Sequence, residues 1–486
     1  MIEMSLAEVA AVTGGRLHRA TGTERVTGVE FDSRKVGPGG LFLALPGERV
    51  DGHAFAAAAV AAGAVAVLAA REIDAPAVLV PPADAGSLAT GSYLAATDPD
   101  GSGAAVLAAL ARLAAHNVAV LSGPGRAGLT VVGVTGSSGK TSTKDLLAAV
   151  LAPLGPTVAP PGSFNNELGL PWTALRADTG TRHLVLELSA RGRGHIAALC
   201  HVAQPQIGVV LNVGRAHLGE FGSPEAIAEA KGELVEALPA DGVAVLNADD
   251  PAVAAMATRT EACVVTVGRS PDATVRAEDL TLAAGRPRFR LVAPQGSAEV
   301  ALRLVGAHHV GNALSAAAVA LECGATPDSV AAALSAAAPA SRWRMEVVDR
   351  ADGVTVVNDA YNANPESMRA ALQALVALGS GPSGPRDAHR TRRTWAVLGS
   401  MGELGDASAA AHAEVAATAA ELGVDRLVTV GPTEYGRGRA VADVAAALDL
   451  LRAEREPGVG VVVKASRAVG LDRLADALVQ EREPVA

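Results

Sequence analysis

The sequence predicts an α/β protein of three domains. Its 486 residues leave room for about three cores of ordinary size. Residues 129–151 run from an apolar β-type stretch through a glycine loop into an amphipathic helix. The last third alternates strand and helix patterns, which implies a parallel sheet. The expected units are an N-terminal α/β domain (1–103), a central parallel-sheet domain built on the glycine loop (104–341) and a Rossmann-like α/β domain (342–486).

Bulk properties narrow the function. The net charge of −10 argues against nucleic acid as a partner. No stretch of about 18 residues reads as both apolar and free of breakers, so no membrane span is expected. The start, MIEMSLAEVAAVTGG, has acids at Glu3 and Glu8 and no basic segment, so no signal peptide is expected. Cys200, Cys263 and Cys323 are widely spaced in apolar settings without metal-site spacing, and read as buried thiols of a reducing compartment. The expectation is a soluble cytoplasmic enzyme.

In the first domain the informative stretch is VTGVEFDSRKVGPGGLFLALPGERVDGHAF, 26–55. Val26, Val29 and Phe31 are strand-like, and Asp32-Ser33-Arg34 follows the strand end, a good place for ligand contact. Ser33 and Arg34 are there either to hold a nucleobase or phosphate or as a capped turn with a surface arginine. Ala56–Ala70 reads as a helix running into a short strand, Asp98–Gly103 as a polar linker, and Ala104–His116 as the helix opening the next domain.

The centre of the chain is LTVVGVTGSSGKTSTKDLLAAVL, 129–151. Strand, Gly136-Ser137-Ser138-Gly139, Lys140-Thr141-Ser142 and helix form a phosphate cradle. Glycines admit backbone N–H groups to the oxygens, the helix N-terminus adds partial positive charge, and Lys140 pairs with the β- and γ-phosphates. Thr141 would place its hydroxyl on Mg²⁺. Val134 stands where the strict G-x₄-G-K-[ST] pattern has its first glycine, so the loop is a variant. Leu146, Leu147, Val150 and Leu151 form the stripe that faces the sheet.

The following loop, VAPPGSFNNELGLPWTAL, sets Asn165 and Asn166 among prolines and glycines, as ligand contacts or as turn formers. HLVLEL carries one acid, Glu187, at the end of a buried strand. Such a carboxylate is costly unless paired or coordinated, and beside a phosphate loop its natural partner is Mg²⁺. A second strand, Ile207–Leu211, leads to a loop holding His217. In SPEAIAEAKGELVEAL, Ser223 reads as N-cap and Pro224 as first helical residue. Lys231 falls within the apolar stripe of Ile227, Leu234 and Leu238. It either snorkels along the surface or points into the site, its amine convertible to a metal-binding carbamate, since burial lowers a lysine pKa and only the neutral amine takes up CO₂. After strands at 243–246 and 263–267 and a hairpin-like region at 273–304, GAHHVGNALSAAAVALECGA begins a helix with Asn312 as a base-contacting candidate or a plain packed terminus.

These segments, TGSSGKTS, FNNELGLP, LELS, NVGRAHL, AEAKGEL, LNADD, HHVGNALSAAA, SRWRMEV, NDAYNANPESM and LGSMGELG, together resemble the Mur ligases of peptidoglycan synthesis over essentially the whole chain. FNNELG and NDAYNANPESM favour the dipeptide-adding branch, and 26–55 is similar to a uridine-binding domain. The resemblance implies ATP-dependent amide ligation through an acyl phosphate, with ATP and Mg²⁺ as cofactors. It implies UDP-N-acetylmuramoyl-tripeptide and D-alanyl-D-alanine as substrates, bound by the N-terminal and C-terminal domains, and a monomer is expected. It assigns Lys140 and Thr141 to ATP and Mg²⁺, Glu187 and His217 to the metal, and Lys231 to the carbamate, and it adds Ser189 to the substrate-binding set. Arg344 faces the nucleotide, Asp359 the ribose, and Asn362 and Asn364 the dipeptide. His195, His309 and Ala465 depart from the family pattern. The readings left beside this one are another amide ligase of the same architecture, such as a folylpolyglutamate-type enzyme, and a non-catalytic ATP-binding protein.

The C-terminal unit begins at SRWRMEVVD, 341–349. A strand ends in Asp359, Asn362-Ala363-Asn364-Pro365 starts a helix with Glu366 in its first turn, and strands follow at 395–398, 427–430 and 461–463. Without G-x-G-x-x-G, no dinucleotide site is expected. Residues 379–394, rich in Gly, Pro and Ser and then basic, read as a solvated insertion or a steering patch for an anionic substrate. Lys464-Ala465-Ser466-Arg467, at the end of the last strand, could meet the dipeptide carboxylate.

Overall fold

A computed structural model describes residues 1–47, 50–81, 98–123, 128–215, 218–379, 392–431 and 434–480. His217 and most of the basic loop at 379–394 lie outside the described residues. The rest form three large sheets and a two-stranded one at the N-terminus.

The N-terminal sheet orders its strands 16–18, 77–79, 64–69, 40–43, 28–30, parallel except for the first. Helix α1 (Ser102–Ser122) follows. Its start is fixed by Asp98, whose carboxylate accepts the N–H groups of Gly103 (2.7 Å) and Ala104 (2.8 Å). What reads in sequence as linker is therefore a helix cap, satisfying donors that a helix start leaves open. At 21 residues, α1 is long and apolar enough to cross a membrane by length and composition alone, and 61% of its apolar window is buried inside the protein. It is a core helix: Asn117, fully buried within it, donates to the carbonyls of Ala174 and Ala177 (both 3.0 Å) and accepts from Ile2 N–H (2.9 Å). One apolar cluster runs from Leu6, Leu43 and Leu68 through Leu110 and Leu113 to Leu184 and Leu186, so α1 is the shared spine of the first two sheets.

The central sheet contains nine described strands, ordered 296–301, 286–293, 275–283, 263–268, 243–247, β2 (Ile207–Val210), β1 (Thr130–Thr135), β3 (His183–Glu187), 157–158; for convenience β2 and β3 are numbered by their position outward from β1. All pair in parallel except the terminal hairpins at 275–301. Parallel strands are buried on both faces, hence the continuous apolar runs. Helix α2 (Lys140–Leu151) lays Leu146, Leu147, Val150 and Leu151 on the sheet, all buried. Helix α3 (Pro224–Glu236) opens as read: the Ser223 hydroxyl accepts Ala226 N–H (3.2 Å) and Pro224 is its first residue. Helix α4 (His309–Glu322) is apolar nearly all round, its alanines allowing close approach to α2.

The C-terminal sheet runs 346–349, 355–358, 460–464, 394–398, 426–430, 439–441, parallel but for the first pair. Helices α5 (Pro365–Gly379) and α6 (Ser408–Glu421) cover one face. The cysteine reading is corrected in part: Cys200 is buried, which pushes its thiol up to about 12, but Cys263, first residue of its strand, is exposed and Cys323 is half-buried.

Candidate active site

The strands β1, β2 and β3 all end at the same edge of the central sheet, where loops rather than side-chain packing occupy the space. The first of these is the glycine loop. Gly139 has φ +82°, and a Cβ there would stand 2.7 Å from Asn312 Oδ1, so only glycine fits between loop and α4. The loop after β2 staples it in place. Asn212 C=O accepts Ser137 N–H (3.1 Å), its Oδ1 accepts Ser138 N–H (3.0 Å), and the Ser137 hydroxyl accepts Gly214 N–H (2.8 Å). The loop is thus shaped before any anion arrives, with the N-terminus of α2 beside it.

Lys140, first residue of α2, donates to Gly136 C=O. Burial lowers its ammonium to about 8, the carboxylates of Glu187 and Glu403 pulling upward and Arg344 adding to the fall. Thr141 turns its hydroxyl to Ser163 Oγ (3.2 Å) and Glu187 Oε2 (3.4 Å). That same carboxylate oxygen accepts from Ser163 Oγ (3.1 Å) and Asn165 Nδ2 (3.3 Å). Glu187 is fully buried, and its Oε1 has no hydrogen-bond partner. Lys231, only 4% exposed, has its ammonium driven well below the usual lysine range by burial, with the charge of Lys140 adding to the effect. It does not snorkel.

From the C-terminal side, Arg344 stacks its guanidinium 4.0 Å from the Tyr361 ring centre, between Trp343 (φ +60°) and Met345 (φ +51°). Two non-glycine residues held in the left-handed region around an arginine mark a strained turn. Asp359 accepts Met345 N–H (3.1 Å) and pairs with Lys464, which also donates to Asn362 C=O (2.9 Å). Asp359 and Lys464 are 8% and 2% exposed.

These groups surround one cleft of about 480 Å³. Ser137, Ser138, Gly139, Lys140, Thr141 and Ser142 line it, as do Asn165, Ser189 and Asn312 from the central domain. Arg344, Asp359, Asn362 and Asn364 line it from the C-terminal side. Gly136, Glu187 and Lys231 stand behind that wall. Asn166 is not on it: its Oδ1 accepts Gly169 N–H (2.9 Å), the turn-forming alternative. Ser33 and Arg34 do not line it either. Arg34 is exposed and forks onto Asp32 (both contacts 2.9 Å), whose carboxyl it holds at about 2.

Sequence reasoning missed Ser163, Asn212 and Tyr361. Ser163 had one usable signal, its place two residues before Asn165 in a loop too polar for a core. Asn212 had one as well, a polar residue just past the end of an apolar strand.

Two α/β units meeting at a phosphate loop, with a lysine and a buried acid beside it, define a P-loop nucleotide-dependent enzyme. Matches to known families place it further: residues 25–118 match the Mur ligase family, catalytic domain; 134–320 the Mur ligase middle domain; and 343–482 the Mur ligase, glutamate ligase domain. A curated relative from Mycobacterium tuberculosis, UDP-N-acetylmuramoyl-tripeptide–D-alanyl-D-alanine ligase, is 55% identical over 99% of this chain and 98% of its own. MurF from Acinetobacter baumannii superposes with a TM-score of 0.82 at 29% identity, covering 99% of both chains. MurF from Thermotoga maritima, solved with ADP, gives 0.76 at 28% identity over 94% of this chain and 98% of that one. The chain belongs to the Mur ligase family. Membership makes it an ATP-dependent ligase.

Proposed function

We infer that this chain joins D-alanyl-D-alanine to UDP-N-acetylmuramoyl-tripeptide, with ATP driving amide formation. The observation that carries this reading is a single cleft whose floor is the phosphate loop and whose opposite wall is Arg344, Asp359, Asn362 and Lys464. A nucleotide and an amine acceptor converge in such a cleft. The full-length likeness to the M. tuberculosis ligase supports the choice of substrates. The proposed division of labour gives 1–103 to the UDP-sugar peptide, 104–341 to ATP and 342–486 to the dipeptide, in a cytoplasmic monomer.

Lys140 and the loop amides hold the triphosphate so that the tripeptide carboxylate attacks the γ-phosphorus. ADP leaves and an acyl phosphate forms. The amine of D-alanyl-D-alanine then attacks the acyl carbonyl, and the tetrahedral intermediate collapses to amide and phosphate. No enzyme nucleophile is needed; charge stabilisation and placement do the work. Asn312 and Arg344 flank the nucleotide, Asp359 its ribose, Asn165 and Ser189 the acyl end, and Asn362 and Asn364 the dipeptide. Ser33 and Arg34 contact the UDP end.

The residues present fit Mg²⁺. The partnerless Oε1 of Glu187 and the hydroxyl of Thr141 are hard oxygen donors, the kind this ion takes. Thr141, Glu187, His217 and Lys231 as a carbamate would hold it, and when bound it neutralises phosphate charge. Among the described residues no three His, Cys, Asp or Glu cluster, so the carbamate would supply the charge that carboxylates do not. The test is a coupled ADP-release assay with a panel of UDP-muramyl peptides against D-alanyl-D-alanine and single amino acids. Release with single amino acids alone would replace this reading by that of another amide ligase.

A further inference from the structure

Arg215 follows β2 in the central domain, yet among the described residues its side-chain partners are in the C-terminal one. Its Nη1 and Nη2 fork onto Glu414 of α6 (2.7 and 3.0 Å), and its Nε meets Glu366 of α5 (3.2 Å). Its backbone N–H donates to the same Glu366 oxygen (3.0 Å). Arg369 braces Glu414 from α5 (3.0 Å). The residue before it, Gly214, gives its N–H to the Ser137 hydroxyl (2.8 Å) and takes that hydroxyl's proton on its C=O (3.2 Å). A Cβ on Gly214 would lie 2.9 Å from Glu366 Cδ, so the Glu366 side chain packs directly on the Gly214 backbone.

We propose that Arg215 is a positioning residue through which the phosphate loop sets the dipeptide wall. The contact chain is short: Ser137 in the loop, Gly214, Arg215, then Glu366 in the first turn of α5, directly after the Asn362–Pro365 loop of the cleft. A phosphate held at Ser137 bears on the start of α5 through this chain. Coupling of this kind is reciprocal for binding at equilibrium, whereas KM is a kinetic constant and need not move equally for the two substrates. The side chains of Arg215, Glu366 and Glu414 are 40%, 33% and 39% exposed. Pairs so exposed add little to stability, so the network's effect falls on placement. The inference rests on the dipeptide reading above for its substrate, but not for its geometry.

The test uses the full-length chain with Arg215→Met, Arg215→Lys and Glu414→Gln. Arg215→Met is expected to raise KM for D-alanyl-D-alanine about tenfold while KM for ATP stays within about twofold, with Glu414→Gln moving the same way. Arg215→Lys keeps the charge without the fork and should fall between. Small-angle scattering with the non-hydrolysable analogue adenylyl imidodiphosphate supplies a readout free of turnover: wild type compact, Arg215→Met more extended. Equal radii would overturn the proposal whatever the amine substrate proves to be. So would an unchanged dipeptide KM in both Arg215→Met and Glu414→Gln, or a rise shared by every substrate together with a lowered melting point. A wild-type enzyme inactive on the dipeptide but compacting only with Arg215 in place would sink the substrate assignment and keep the positioning role.

Discussion

Thr141 Oγ1 stands 3.4 Å from Glu187 Oε2, so the first turn of one helix and the last residue of a neighbouring strand share a point. The other oxygen of that carboxylate is left with nothing to accept. Most buried polar atoms are satisfied, and one that is not, beside a phosphate loop, is a hard oxygen donor of the kind Mg²⁺ takes.

Replacing Glu187 by Gln keeps the shape and removes the charge. The expected result is a Mg²⁺ requirement for ADP release raised on the order of tenfold, read from a metal titration at saturating ATP. An unchanged requirement counts against metal ligation.

Lys231→Ala should be nearly inactive, and a small carboxylate such as formate should restore part of the rate. The basis is burial, which drives the Lys231 ammonium well below the usual lysine range and so favours the neutral amine that takes up CO₂. Full activity without rescue removes the carbamate from the site.

For Lys140 the prediction concerns pH. The lysine must be protonated to pair with phosphate, and burial brings its free-enzyme value to about 8. The lysine is therefore charged below that pH and loses its proton as pH rises through it. The kcat/KM for ATP should accordingly fall above about pH 8, and Lys140→Arg should abolish that limb even at a lower absolute rate. A wild-type profile flat to pH 10 would contradict this.

Gly139→Ala forces a side chain into φ +82° and onto Asn312 Oδ1. Nucleotide affinity should drop on the order of tenfold or more, with far-UV circular dichroism unchanged. Calorimetric titration with ADP measures it.

Breaking the buried pair of Asp359 and Lys464 leaves one charge stranded. Lys464→Met or Asp359→Asn alone should destabilise the C-terminal unit by about 3–5 kcal/mol, and the double variant should recover much of the loss. Urea melts of the three variants decide it; strictly additive singles would show that the pair is not coupled.

How much of this was legible beforehand depended on the range of the interaction. The glycine loop, the α2 stripe, the Ser223 cap and the buried position of Lys231 are local periodicities and were readable from residues three or four apart. Glu187 was readable as an anomaly, one acid in an apolar strand. Its companions were not: Ser163 lies 24 residues away, and a lone serine carries no pattern. Asp98 looked like linker because its cap partners are five and six residues on, outside the usual capping spacing. The full length of α1 was not readable: the expected helix, Ala104–His116, stops one residue before the polar Asn117. Asn117 is polar because the carbonyls of Ala174 and Ala177 need a donor, a fact of tertiary packing alone.

Because α1 gives its apolar residues to a cluster spanning both the N-terminal and central sheets, those two layers share an interior, beside which each keeps one cluster of its own. The C-terminal sheet keeps two clusters of its own, with Val305 the central residue among them. Heat should therefore melt the chain as two cooperative blocks rather than three: everything up to the turn around Arg344 as one, and the last sheet as the other. Cut at that turn, the second block has what it needs to fold by itself, whereas an isolated first sheet would be left with half an interior exposed to water.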